Sequence, residues 1–165
     1  MDRLLLVDGR VHEITCAVLA DGITSPVVDL LEQLDAKSWP APGITVFPDE
    51  YQVKMKSRFL AQAEHLAEFG DLETPYNRLE EGIWEFKIET LRVSFFDTPG
   101  DGTFEPKFGT DHTQWDGKTK AILPEDFDEF IRVGHYFPKT GEWATQEDID
   151  RSIEVRAEDL SHDTN

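Results

Sequence analysis

At 165 residues, with 34 acidic and 16 basic side chains, a net charge of −18 and the single cysteine Cys16, the chain is long enough to close one core over 1–165 and has no partner for an internal disulfide. No apolar run approaches the ~18 residues that a membrane helix needs and no N-terminal segment reads as a signal, which leaves a cytoplasmic protein without membrane contact as the expectation. The charge excludes a generally phosphate-seeking surface: any nucleic-acid contact needs a local basic patch, and the acidity itself fits a solvated surface, adaptation to salt, or a face that meets a basic partner.

Residues 4–20 hold two short apolar runs separated by the turn dipeptide Asp8-Gly9, and the segment from about Val11 to Leu19 reads as the first strand. Ser25-Pro26 then supplies an N-cap and a proline at the first helical position, and Val27, Leu30, Leu31 and Leu34 follow at helical spacing. Three prolines and a glycine between Lys37 and Pro48 make a connection in which Trp39 is a packing anchor. A longer helix is expected from about Pro48 to Phe69, with Tyr51, Met55, Phe59, Ala63 and Leu66 on its apolar face and Gly70 as its stop. His65, near that end, reads as an exposed helix histidine. Asp71 to Asn77 is a polar lead into the next element.

That element is the clearest in the chain. In RLEEGIWEFKIETLRVSFFD, Arg78 to Asp97, the residues Trp84, Phe86 and Ile88 alternate with Glu85, Lys87 and Glu89. After a turn near Thr90, Leu91, Val93 and Phe95 alternate with Arg92, Ser94 and Phe96. Period two on both arms predicts a hairpin with one buried face and one wet face, the wet face carrying Lys87 and Arg92. The exit through 98–103, rich in proline and glycine, ends the strand. Residues 104–130 mix aromatics with turn residues and the acidic run PEDFDEF, and are expected to fold back on the body as an insertion over 98–130.

IRVGHYF, Ile131 to Phe137, alternates again and should pair with the hairpin. Ile131, Val133, His135 and Phe137 point one way, Arg132, Gly134 and Tyr136 the other. Thr145 caps a last helix carrying Ile149, Ile153 and Leu160. Strand, helix, helix, hairpin, insertion, strand and helix in that order make an α+β protein. Asp111, His112 and Asp116 can be drawn as a metal triplet, but an Asp-rich loop produces such triplets freely, and no metal or other cofactor is expected. Asp97, Asp101 and Glu105 read as loop acids, and no phosphate-cradling glycine loop, CxxC or nucleophile elbow is present.

Two segments carry a resemblance. Leu79, Gly82, Trp84, Glu85 and Lys87, then Arg92-Val93-Ser94-Phe95-Phe96, then His135, Phe137, Lys139, Thr140 and the pair Asp148-Ile149 are similar in type and order to the phage-derived RelE/HigB-like toxin family, the ribosome-dependent mRNA interferases of type II toxin-antitoxin pairs. The resemblance covers roughly 25–97 and 131–160. The loop after Phe137 reads PKTGEWAT, with Glu142 and Trp143 where that family carries lysine. The resemblance implies a small, antiparallel-rich curved sheet with helices on one face, the other face open to RNA. It implies a toxin acting as an mRNA endoribonuclease without metal or other cofactor, with the ribosome, mRNA and a helix-turn-helix antitoxin as partners. Its site would hold Arg92, Tyr136, His135 and Lys139 as catalytic residues, and Arg78, Lys87 and Arg132 as RNA-binding residues.

RNA cleavage by 2′-OH attack on the adjacent phosphate needs a base, a cation for the crowded phosphorane and an acid for the leaving oxygen. Arginine offers bidentate phosphate contacts, and Tyr136 offers a ring as well as a hydroxyl. His135 titrates near neutrality, yet its parity places it with Val133 and Phe137, which also fits a core histidine. The alternative from a different class is a catalytically degenerate protein on the same fold, with the acidic surface and the insertion docking a protein partner.

Overall fold

The computed structural model describes residues 1–40, 50–139 and 141–164. The start of the second helix near Pro48 and Thr140 of the resemblance lie outside the described residues. Among the described residues twelve elements follow one another: β1 (Leu5–Asp8), β2 (Glu13–Cys16), α1 (Pro26–Asp35), α2 (Glu50–Phe69), β3 (Tyr76–Arg78), β4 (Trp84–Ile88), β5 (Leu91–Thr98), β6 (Thr110–Thr113), β7 (Thr119–Ile122), β8 (Phe130–Pro138), α3 (Gln146–Leu160) and a short 3-10 helix (Ser161–Asp163). A six-stranded sheet runs β1-β2-β8-β5-β4-β3, and β6 and β7 pair separately as a ribbon. Only the β2 to β8 pairing is parallel, so the α+β class and the antiparallel character hold. β1 and β3, which carry no alternation long enough to read, are added at the two edges.

Local chemistry accounts for the helices. Pro26 opens α1, while the Ser25 hydroxyl, expected to cap it, donates instead to the Ala17 carbonyl at 2.7 Å and ties the helix start to the end of β2. α2 buries Met55, Phe59, Ala63 and Leu66 and ends at Gly70, whose φ of +75° suits a residue without Cβ. Trp39 is buried in the same core, as expected of an anchor. In α3 the Thr145 hydroxyl accepts from the Asp148 amide at 3.2 Å and donates to the Asp148 carboxylate at 2.9 Å, a cap closed at both ends.

The main core lies between the sheet and the pair α1 and α2. Trp84, Phe86, Ile88, Val93, Phe95 and Val133 face Leu30, Leu34, Met55 and Phe59, with the Phe86 and Phe95 rings 4.5 Å apart. Burying each of these large side chains contributes about 1.5–3 kcal/mol. The expectation that all helices share one face is corrected here, because α3 packs on the opposite side. Phe96 stands on the supposedly wet side of the hairpin, is fully buried, and is covered by Val155 of α3 and by Phe104, whose ring meets it edge-on at 6.2 Å. A phenylalanine on that side requires an apolar lid, and α3 provides it; Ser152 completes the contact by donating to Ser94 at 3.0 Å.

A second correction concerns β8. Val93 pairs with Tyr136 but Phe95 pairs with Val133, so Gly134 and His135 together oppose the single residue Ser94. This bulge reverses the alternation midway along the strand. Tyr136 joins the α1 side of the sheet, and His135 and Phe137 move to the Arg92 side, the reverse of their sequence parity.

The 98–130 segment folds back as expected, on both faces. Leu123 and Phe127 enter the main core, and Arg156 of α3 lies 3.9 Å above the Phe104 ring. Gly82 makes this approach possible: its φ is +78°, and a Cβ there would come within 2.8 Å of Phe104 and Pro106. Asp97 is no loop acid. It sits buried at the end of β5, pairs with Lys107 at 2.5 Å, and Lys107 also reaches Asp128 at 3.0 Å. Burial holds the Asp97 carboxyl above its ordinary pKa in spite of that lysine. No helix among the described residues is long and apolar enough to cross a membrane.

Candidate functional site

On the α3 side of the sheet, the strand register lays polar residues in rows. Asn77 pairs with Glu85, Glu85 with Ser94, and Ser94 faces the bulge at His135, so four strands each contribute one side chain to a single line. Adjacent members stand about 5 Å apart. One step along the strands, Lys87 pairs with Arg92 and Arg92 with Phe137. Three of the six strands thus bring a carboxylate, two cations and an imidazole together.

Each member is held. Asn77 Nδ2 donates to Glu85 Oε1 at 2.8 Å, whereas Glu85 Oε2 has no hydrogen-bond partner among the described residues although Glu85 is only 1% exposed. The His135 amide donates to the Ser94 hydroxyl at 3.0 Å, and its Nε2 lies 3.2 Å from Asp148 Oδ1. Because Asp148 Oδ2 accepts from the Thr145 hydroxyl, the cap of α3 also aims the carboxylate that orients His135. Arg92 donates from Nη1 to the carbonyls of Glu89 at 2.7 Å and Leu91 at 3.0 Å. Lys139 is anchored by its amide to the Thr90 carbonyl at 2.7 Å.

Burial dominates the titration behaviour. It pushes the Glu85 carboxyl up, against the Asn77 hydrogen bond and the charges of Arg92 and Lys87, with Asp148 adding to the rise. It pushes His135 down, against its bond to Asp148. Lys87 is lowered by burial and then by Arg92. The upward shift makes the Glu85 carboxylate a stronger base, as a base role calls for, whereas the downward shift makes protonated His135 a stronger acid but a less populated one.

Glu85 and Arg92, 1% and 7% exposed, line a cavity of about 10 Å³ closed by Lys139, Gly141, Glu142, Trp143 and Ala144, room for about one water. His135 opens elsewhere, into a groove of about 570 Å³ walled by Glu147, Asp148, Asp150, Arg151 and Glu154. Lys87 opens into a third space along the β3 edge.

Of the residues singled out from the sequence, Lys87, Arg92 and Lys139 come together, and His135 stands on the same face of the sheet but opens into the separate groove. The other three do not. Tyr136 lies across the sheet, its hydroxyl accepting from Gln33 of α1 at 3.0 Å, because the bulge turned it there. Arg132 is buried under α3, its Nη1 bound to Asp159 at 2.7 Å and Asp163 at 2.5 Å. Arg78 pairs with Trp84 and so belongs to the Trp84 side, bonded to Asp111 at 2.8 Å and the Phe108 carbonyl at 2.8 Å. Sequence reasoning passed over Glu85, Asp148 and Asn77 as site residues. Glu85 was legible in principle, as a carboxylate on the wet side of the hairpin beside Lys87 and Arg92; Asp148 was hidden in a helix cap. Among the described residues no cluster of His, Cys, Asp and Glu has the geometry to hold a metal.

Fold and site together define an α+β protein with a closed acid-base and cation cluster on the sheet face that α3 half covers. Compared with known proteins, the chain matches no family model, no curated protein and no solved structure.

Proposed function

We propose that this chain is an endoribonuclease of the toxin type to which its sequence bears a resemblance, cleaving RNA by 2′-OH attack. The observation that supports this most is the row that Glu85 of β4 and His135 of β8 form on either side of Ser94 of β5, flanked by Lys87, Arg92 and Lys139. Glu85 takes the 2′-OH proton as that oxygen attacks phosphorus. Arg92, Lys87 and Lys139 stabilise the added charge on the phosphorane. His135, oriented by Asp148, protonates the 5′ oxygen as the bond from phosphorus to that oxygen breaks, leaving a 2′,3′-cyclic phosphate and a 5′-hydroxyl. The chemistry uses no metal or other cofactor. With the 141–144 segment in place a phosphate cannot reach Arg92, so turnover requires that segment to lift.

The resemblance adds the ribosome as the setting and a helix-turn-helix antitoxin as the inhibitor. The test is cleavage of a labelled transcript by purified protein with and without ribosomes, together with growth after induction in a bacterium. Loss of a general base costs about 10²–10⁴-fold and loss of one charge-stabilising donor about 10²–10³-fold, so Glu85→Gln and Arg92→Ala should each abolish visible cleavage. Full activity in Glu85→Gln sinks the mechanism.

A second function has its own support: the closed roof over Arg92 and the acidic groove beside His135 suit a non-catalytic protein that docks a basic partner through Glu147, Asp150 and Glu154. Intact transcripts and unchanged growth with demonstrably soluble protein would replace the first function by this one.

A further inference from the structure

The third space follows the free edge of the sheet. β3 is the edge strand, and beside it a groove of about 720 Å³ runs between β3, the β6 to β7 ribbon and Trp143. Four cationic side chains line it, Arg78, Lys87, Lys118 and Lys120, against the single acid Glu73, on a molecule whose net charge is −18. Arg78 shares its charge with Asp111, but among the described residues no carboxylate pairs with Lys87, Lys118 or Lys120. Lys120 stands 5.5 Å over the Tyr76 ring. Trp143 is 69% exposed at the groove wall, and Trp115 is 99% exposed at the tip of the ribbon that carries Lys118 and Lys120.

Unpaired lysines concentrated on an otherwise acidic surface are costly through mutual repulsion unless a polyanion meets them. Exposed indoles beside such a track supply stacking faces for unpaired bases, the combination that holds a single strand without reading its sequence. The groove also includes Lys87, which stands beside Arg92 in the next strand, so a strand lying in it leads to the closed cluster.

We infer that the groove between β3 and the β6 to β7 ribbon is a track for single-stranded RNA, gripped at its phosphates by Lys118, Lys120 and Lys87 and stacked on Trp143. The inference rests on the endoribonuclease function in naming RNA as the strand, and it explains what the 98–130 segment contributes, since the ribbon forms one bank of the track.

The experiment measures anisotropy of a fluorescent 12-nucleotide RNA across a salt series, with Glu85→Gln protein so that no cleavage intervenes. Each single-strand phosphate contact contributes about 0.7 to the slope of log affinity against log salt. Lys118→Gln/Lys120→Gln should therefore bind about tenfold more weakly with a slope shallower by about 1.4, and its melting temperature should not change, since both side chains are exposed. Trp143→Ala should weaken binding at every salt concentration without changing the slope. Unchanged RNA affinity in the double variant, no RNA binding by Glu85→Gln protein, or equal capture of an acidic peptide of the same charge each overturns the track. The two ideas separate cleanly. RNA bound in a lysine-dependent way but never cut by wild-type protein keeps the track and removes the nuclease, whereas cleavage with the same kcat/KM in the double variant keeps the nuclease and removes the track.

Discussion

Replacing Arg132 with alanine asks whether this arginine holds the fold or holds RNA. Its side chain is 5% exposed and its Nη1 bridges Asp159, which is 0% exposed, and Asp163. Breaking one member of a buried ion pair costs about 3–5 kcal/mol, because the partner charge is left buried without compensation. Asp159 keeps two other donors, Arg3 Nε at 2.8 Å and the Val18 amide at 2.9 Å, which places the loss near the lower end, about 3 kcal/mol. For a domain of this size that is a fall in Tm of about 6–12 °C. Circular dichroism melts and urea midpoints measure it. RNA affinity of folded Arg132→Ala protein should equal that of the wild type. A Tm change within about 1 °C combined with lost RNA binding would refute the structural role and return Arg132 to the RNA-binding set.

Glu85→Gln should raise stability as it removes activity. The folded pKa lies above the unfolded value, so the folded state binds the extra proton; the associated stability is complete below the unfolded value and lost as pH rises through the folded one. The variant should accordingly melt above wild type at pH 8, with the gap closing toward pH 4, and equal Tm at pH 8 would contradict this. His135 has the opposite sign. Its folded pKa is lowered, so the stability linked to its neutral form is present above about pH 6.5 and lost as pH falls below it. His135→Gln should flatten part of the acid limb, the remainder coming from His12, which burial also lowers; an unchanged limb counts against the burial of His135. Phe96→Ala should cost about 3–5 kcal/mol and strip hydrogen-exchange protection from α3, the helix it supports; retained protection would mean that α3 docks by other contacts.

Much of the secondary structure was legible because it is decided within a few residues. Alternation at Trp84, Phe86 and Ile88 marked β4, the Ser25-Pro26 pair marked the start of α1, and Thr145 marked the start of α3. The candidate site was legible only in part. Lys87 and Arg92 lie on one hairpin, whose turn sets their register, so their meeting was readable. Tyr136 and Arg132 were assigned to that face with Arg78 near its rim; the bulge moved Tyr136 to the other side, α3 buried Arg132 on the expected side, and Arg78 lies on the Trp84 side.

Composition and local periodicity by themselves determined the α+β class, the hairpin, the three helices and the fact that any basic patch would be local on so acidic a chain. Only the tertiary structure decided which face each side chain serves. One extra residue at Gly134 and His135 exchanged the sides of Tyr136 and Phe137, and α3 closed over Phe96 and drew Arg132 into its carboxylates. The physical reason is one of range: sterics and side-chain period act over a turn or a strand and are written in adjacent residues. A bulge is chosen instead by the fit between strands far apart in the chain, and an ion pair by a helix that has not yet been synthesised when its arginine is made.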